Sequence, residues 1–267
     1  MVAVAIAVAV GAAGVGAVGA AAGGGGAVTV GGASAAAESA APASAAAAAG
    51  TPAAPAAAPR IEQMVVFRNG DALPRRVSTA GLLVRAGRRR CAVGDATALA
   101  ALVRSRPGRL RVRDFGSCSR RPRDAGGLFV ESIRSDRNRG QNGWVYKVGR
   151  RGATAGAADP SGPFGNGRLE TGRRVTWFYC RLRDGGCQRT LELRLSARPG
   201  GVLAVVRGYD DEGRGVAVAG ADVSAGGMSA LTGADGSVEL ALPAGSHRVV
   251  ARKAGLVRSF PERVELP

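Results

Sequence analysis

Residues 141–195 read QNGWVYKVGR RGATAGAADP SGPFGNGRLE TGRRVTWFYC RLRDGGCQRT LELRL. Both tryptophans of the chain, Trp144 and Trp177, fall here, with two of its four cysteines, Cys180 and Cys187. Aromatic residues make up only 4% of the sequence, so this stretch is where a small core can concentrate its largest side chains. Alternation marks strands. Trp144, Tyr146 and Val148 share one face, with Val145 and Lys147 on the other. Val175, Trp177 and Tyr179 share a face, opposite Thr176, Phe178 and Cys180, and Leu191, Leu193 and Leu195 alternate with Glu192, Arg194 and Ser196. Residues 175–180 and 187–195 are expected to pair as a hairpin across RLRDGG, with a Cys180–Cys187 disulfide as a staple at its base.

Upstream, residues 64–67, 82–84, 110–112 and 128–133 are short apolar runs that read as strands. One helix interrupts them. Asp95 precedes ATALAALV, in which Leu99, Leu102 and Val103 fall at i, i+3 and i+4, and Asp95 is placed to cap its N-terminus. Downstream of Arg198-Pro199-Gly200-Gly201, which reads as a hinge, strands are expected at 202–209, 221–225, 237–242, 247–253 and 262–266, separated by DDEG, GADG and PAGS turns. The halves on either side of that hinge are expected to fold independently.

The first 59 residues are nearly all Ala, Gly, Val, Pro and Ser, with Glu38 as the only charge. They cannot bury a core against the entropy of ordering. Residues 2–22 carry no charge and are long enough to enter a bilayer, so they are expected to be a signal peptide or membrane anchor, disordered or an apolar helix. An untargeted Ala/Gly tail is the alternative. Residues 23–59 read as a linker, stiffened by Pro42, Pro52, Pro55 and Pro59. Export and an even cysteine count favour two disulfides over free thiols. Four cysteines admit three pairings; with Cys180 joined to Cys187, Cys91 and Cys118 remain for each other. No metal site is expected, because the chain has no C-x-x-C pair and His247 is its only histidine.

The formal net charge of +17 is concentrated. Residues 60–197 hold 29 basic and 11 acidic residues, while 198–267 hold eight of each. Only Lys147 and Lys253 are lysines, so much of the arginine excess, including Arg88 to Arg90 and Arg120, Arg121 and Arg123, reads as coding bias on solvated loops. The functional alternative is an anionic cell-wall polymer or lipid surface met through the middle domain. No zinc-finger, helix-turn-helix or RNA-stacking pattern supports specific nucleic-acid recognition. Asp210, Asp211 and Glu212 form the only acidic cluster, and their spacing does not fit an EF-hand loop. They read as an exposed turn. Nor is there a G-x-S-x-G, H-E-x-x-H, Walker or dinucleotide motif, so no enzyme activity and no cofactor is expected.

GWVYKVGR, ADPSGPFGNGRL and TGRRVTWFYC resemble the bacterial domains similar to the C-terminal domain of transcobalamin, over about residues 75–195. Two turns depart from that pattern: Val148-Gly149 stands where the family often has Asn-Gly, and Gly172-Arg173 where it often has Gly-Asp. The run from VAVAGADVSAGG to ALTGADGSVELALPAGSHRVVARKAG resembles the carboxypeptidase-regulatory-like β-sandwich modules. Together the resemblances imply an α+β chain: a small β-grasp-like domain with one short helix at 60–197, then an all-β immunoglobulin/transthyretin-like sandwich at 200–267. With the N-terminal apolar segment, the linker and the disulfides, they point to an exported non-catalytic binding module with a spacer, held at the cell surface or secreted and serving a small ligand or protein. The alternative is a structural envelope protein that binds anionic wall polymer or lipid through the middle domain, and a hydrolase is the remote one. The membrane is met only through the N-terminal segment. Trp144, Tyr146, Trp177 and Tyr179 are the candidate ligand platform, with core packing as the alternative. Cobalamin does not come with the resemblance, since no helical-barrel partner is present.

Overall fold

The computed structural model describes residues 57–123 and 126–267. The expectations for residues 1–22, and for the linker as far as residue 56, lie outside the described residues. At the linker's end the Pro59 carbonyl already accepts hydrogen bonds from the Thr79 N–H and hydroxyl.

The chain is mostly β. Its first part contains β1 (Arg60–Val66), β2 (Ala72–Ser78), β3 (Leu82–Ala86), β4 (Arg89–Val93), α1 (Ala98–Arg104), β5 (Leu110–Asp114), β6 (Leu128–Ile133), β7 (Asp136–Arg137), β8 (Gly143–Val148), β9 (Arg151–Gly152) and β10 (Arg174–Cys180). The second contains β11 (Thr190–Arg198), β12 (Gly201–Tyr209), β13 (Gly215–Ala217), β14 (Asp222–Ala225), β15 (Met228–Leu231), β16 (Ser237–Ala241), β17 (Gly245–Arg252) and β18 (Glu262–Leu266).

The first sheet has the order β2-β1-β10-β8-β9, with β1 and β10 parallel and the other pairs antiparallel. A second sheet runs β4-β3-β5-β6-β7. These two sheets and α1 enclose one core containing Ile61, Val65, Leu99, Leu102, Val130, Trp144, Val175 and Trp177. Thr97, not Asp95, caps α1: its hydroxyl accepts from the Ala100 N–H at 3.3 Å. A buried Thr reaches the first turn, while Asp95 faces outward against Arg168.

The hairpin expected across RLRDGG is absent. β10 sits between β1 and β8, so neither of its edges is free for another strand. The Cys180–Cys187 disulfide closes that loop, and the chain then leaves the first sheet. β11 pairs instead with β12 over its whole length, which makes Arg198 to Gly201 a tight turn between two strands and not a hinge. β12 also pairs with β13 and β16, and β15-β14-β17-β18 forms the facing sheet. Leu191, Leu193, Val202, Val206, Val223, Val249 and Ala251 fill the space between.

A third apolar cluster bridges the two halves. Met64, Val66, Phe178 and Cys180, on the outer face of β1 and β10, pack with Val257 from the loop before β18. Val257 forms a parallel bridge with Thr190. The first sheet is therefore covered on both faces, and every residue of β10 from Val175 to Cys180 is buried. The described residues on both sides of residue 198 pack as one compact unit.

Candidate functional site

β8 and β10 bring the four candidate aromatics together. Tyr146 lies opposite Trp177, and Trp144 opposite Tyr179, in the antiparallel register. Tyr146 and Trp177 stack at 5.0 Å, and Trp144 meets Tyr179 and Phe67 edge-on at 6.0 and 6.2 Å. Such pairs add to apolar burial. All four side chains belong to the main core.

Their polar atoms separate them. Trp144 Nε1 donates to the Asp136 carbonyl and Tyr179 Oη to the Arg137 carbonyl, each at 2.9 Å. Tyr146 Oη donates to the Ala155 carbonyl at 3.1 Å. Trp177 Nε1 is buried and has no acceptor among the described residues. A buried donor without a partner costs about 1–3 kcal/mol.

Trp177, Trp144 and Tyr146 wall a pocket of about 200 Å³, completed by Leu128, Val130 and the 153–157 loop. Phe129, 46% exposed, lies at its rim. Tyr179 does not reach it. The pocket lies between the first and second sheets, so its walls come from segments far apart in sequence, and no local pattern announces it.

The glycine-rich stretch 158–167 supports this wall. Gly162 has φ +91°, and a Cβ there would lie 1.8 Å from the Gly167 carbonyl oxygen. Pro163 O accepts from the Thr154 and Ala155 N–H groups, and Ala157 O accepts from Leu99 N–H at the start of α1. The turns thus lock the pocket loop to the helix.

The opposite face of β8 carries a second arrangement. Lys147 is 1% exposed; its Nζ donates to the Tyr209 carbonyl at 3.0 Å and pairs with Asp211 at 3.1 Å. Burial holds its ammonium below the ordinary lysine value, and the neighbouring Asp211 carboxylate opposes that. Asp211 also accepts from Cys187 N–H at 3.0 Å. The acidic cluster read as an exposed turn is a joint: Asp211 grips Lys147, and Asp210 pairs with Arg214 at 3.0 Å. No group of three metal-ligating side chains occurs among the described residues. His247 Nε2 lies 2.7 Å from the Pro243 carbonyl oxygen.

Cys91 is bonded to Cys118 and Cys180 to Cys187. The first bond ties β4 to the loop after β5, and the second closes the loop that leaves β10. Among the described residues no helix is long and apolar enough to cross a membrane. Comparison with protein families, curated proteins and solved structures finds no match to this chain.

Proposed function

We propose that this chain is an exported, non-catalytic binding module, and that its ligand presents a small apolar or aromatic group with a hydrogen-bond acceptor to the pocket between Trp144 and Trp177. The observation that carries this reading is the pocket that Trp144, Tyr146 and Trp177 wall, together with a buried Trp177 indole N–H that has no acceptor among the described residues. A cavity of about 150 Å³ suffices for a benzene ring, whereas whole drug-sized ligands occupy about 300–1,000 Å³. The volume of about 200 Å³ therefore suits one ring or one peptide side chain and is too small for a corrinoid.

The finer fold reading rests on the same elements. A mixed sheet with adjacent parallel β1 and β10, flanked by β2 and β8 and crossed by one helix, supports the β-grasp-like assignment. Two facing antiparallel sheets around one apolar core support the immunoglobulin/transthyretin-like assignment. Two disulfides support an oxidising compartment.

A screen of small aromatic carbonyl compounds, read through the Trp177 indole N–H resonance, tests the ligand reading. The expected result is saturable movement of that resonance, suppressed by Ala157→Leu, which fills the pocket. If no compound moves it, or if the filled variant responds equally, the pocket is not a binding site.

A further inference from the structure

Along the seam between β2 of the first sheet and β17 of the last, three cavities lie in a row. Their volumes are about 500, 440 and 470 Å³. The first two share Pro74, Arg75, Arg248 and Pro261 as walls, and Arg258 joins the second to the third. They form one concave channel. Alternation along β17 explains one wall. Val249 and Ala251 are in the sandwich core, so Arg248, Val250 and Arg252 face the channel. Four residues of strand place Arg248 and Arg252 about 13 Å apart.

The channel is basic and largely uncompensated. Arg174, at one end, is held between Glu62 at 2.8 Å and Glu262. Arg75, Arg76, Arg248, Arg252, Arg258 and Arg263 make no ion pair among the described residues, although Asp71 and Asp222 also line the channel. Arg248 lies directly opposite Arg263 in the β17·β18 ladder, where like charges repel. Arg258, on the channel floor, has a buried Nε with no acceptor. Burial, and then the fields of Arg252 and Arg248, disfavour its charged form, with Asp71 opposing. The unsatisfied Arg258 Nε and the facing Arg248 and Arg263 are costs that an anion in the channel would lessen, although Asp222, whose Oδ1 is also buried without a donor, opposes it at the third cavity.

We propose that this seam binds a linear phosphate-bearing polyanion, threaded between β2 and β17. Three observations select that occupant. Guanidinium forks match phosphate oxygens. The site is a row of concave cavities, which suits a flexible chain better than a flat bilayer. It extends past the reach of one phosphate, since Arg248 and Arg252 are separated along the strand. The site uses the sequence-neutral C-terminal half as much as the arginine-rich middle one, and it is separate from the aromatic pocket.

The test measures binding of the full-length, disulfide-intact chain to long-chain polyphosphate, to pyrophosphate and to vesicles containing anionic phospholipid, each across a salt series. A triple variant, Arg248→Ser with Arg252→Ser and Arg258→Gln, is compared with a control that removes the same charge elsewhere, Arg88→Ser with Arg90→Ser and Arg120→Ser. The expected result is tight polyphosphate binding that the seam variant weakens by about tenfold or more, while the control weakens it by less than about threefold. The seam variant should also flatten the logarithmic salt dependence by about two to three. Equal losses in the two variants would mean that net charge alone attracts the polymer and would overturn the proposal. So would pyrophosphate binding as tightly as the long chain, vesicle binding lost through the same three residues, or no polyphosphate binding at all. A melting temperature measured for each variant separates loss of the site from loss of the fold.

Discussion

Replacing Lys147 by Met removes the charge at the joint while nearly preserving the volume of the side chain. The Tyr209 carbonyl loses a charged donor at 3.0 Å, a bond worth about 1.5–3 kcal/mol. Asp211 loses its partner at 3.1 Å, but its side chain is one-third exposed and keeps the Cys187 N–H, so water and that donor replace most of the loss. Relief of lysine desolvation offsets part of the cost. The net expectation is a loss of about 1–3 kcal/mol, or about 2–12 °C in melting temperature for a folded unit of this size. The pH dependence has a definite sign. Burial lowers the folded-state pKa of Lys147 below the ordinary 10.5. Between those two values the unfolded chain holds a proton that the folded chain has released, so this group's contribution to stability rises with pH. The gap between wild type and Lys147→Met should therefore widen as pH climbs through that window and level off above 10.5. Thermal and urea melts across that range are the assay. A variant as stable as wild type at neutral pH, or a gap that narrows with rising pH, would refute the account of the joint.

Trp177→Ala, with both disulfides verified, should cost about 3–5 kcal/mol and unfold the first sheet; an unchanged melting temperature would mean that Trp177 is no part of the core. Titration of denatured, unreduced protein should find none of the four cysteines reactive, and four reactive thiols would remove the argument for an oxidising compartment. Chain-entropy arithmetic gives about 3.5 kcal/mol for the 27-residue separation of Cys91–Cys118 and about 2.4 for the 7-residue separation of Cys180–Cys187. Paired Cys→Ala variants should follow that order, and the reverse order would show that the native contacts of each bond outweigh loop closure. A fragment of residues 200–267 lacks β11 and should give a collapsed amide spectrum; a dispersed spectrum would show that β12 does not need that partner.

Short apolar runs marked β1, β3, β5 and β6, and alternation marked β8 and β10. The expected strands at 128–133 and 262–266 coincide with β6 and β18. β2 and β4 were invisible as ALPRRVS and RRCAV, since arginines mask the pattern. Both are edge strands, where charge protects an open ladder from pairing with another chain. The hairpin misreading has a topological cause. Sequence adjacency favoured pairing 175–180 with 187–195, but β1, more than a hundred residues earlier, already occupies that edge. The run VTWFYC carried a sign of this: strands buried on both faces read as nearly continuous apolar runs. Lys147 offered no sign at all, because a lysine opposite aromatics is expected to face water. The aromatics were legible as a group, but the pocket and the arginine channel were not, because their walls assemble from distant segments.

The parallel contact of β1 with β10 also sets a clock. Glu62 and Arg174, neighbours across that ladder, are 112 residues apart in the chain. Closing so long a loop is entropically late, and folds built on such non-local pairs take milliseconds to seconds once the chain is whole. At a synthesis rate of about 5–20 residues per second, β1 waits roughly 6–22 s before its central neighbour exists. Throughout that interval Met64 and Val66, on the outer face of β1, lack Phe178, Cys180 and Val257, which pack with them in the finished fold. The first sheet therefore cannot close until residue 180 has emerged.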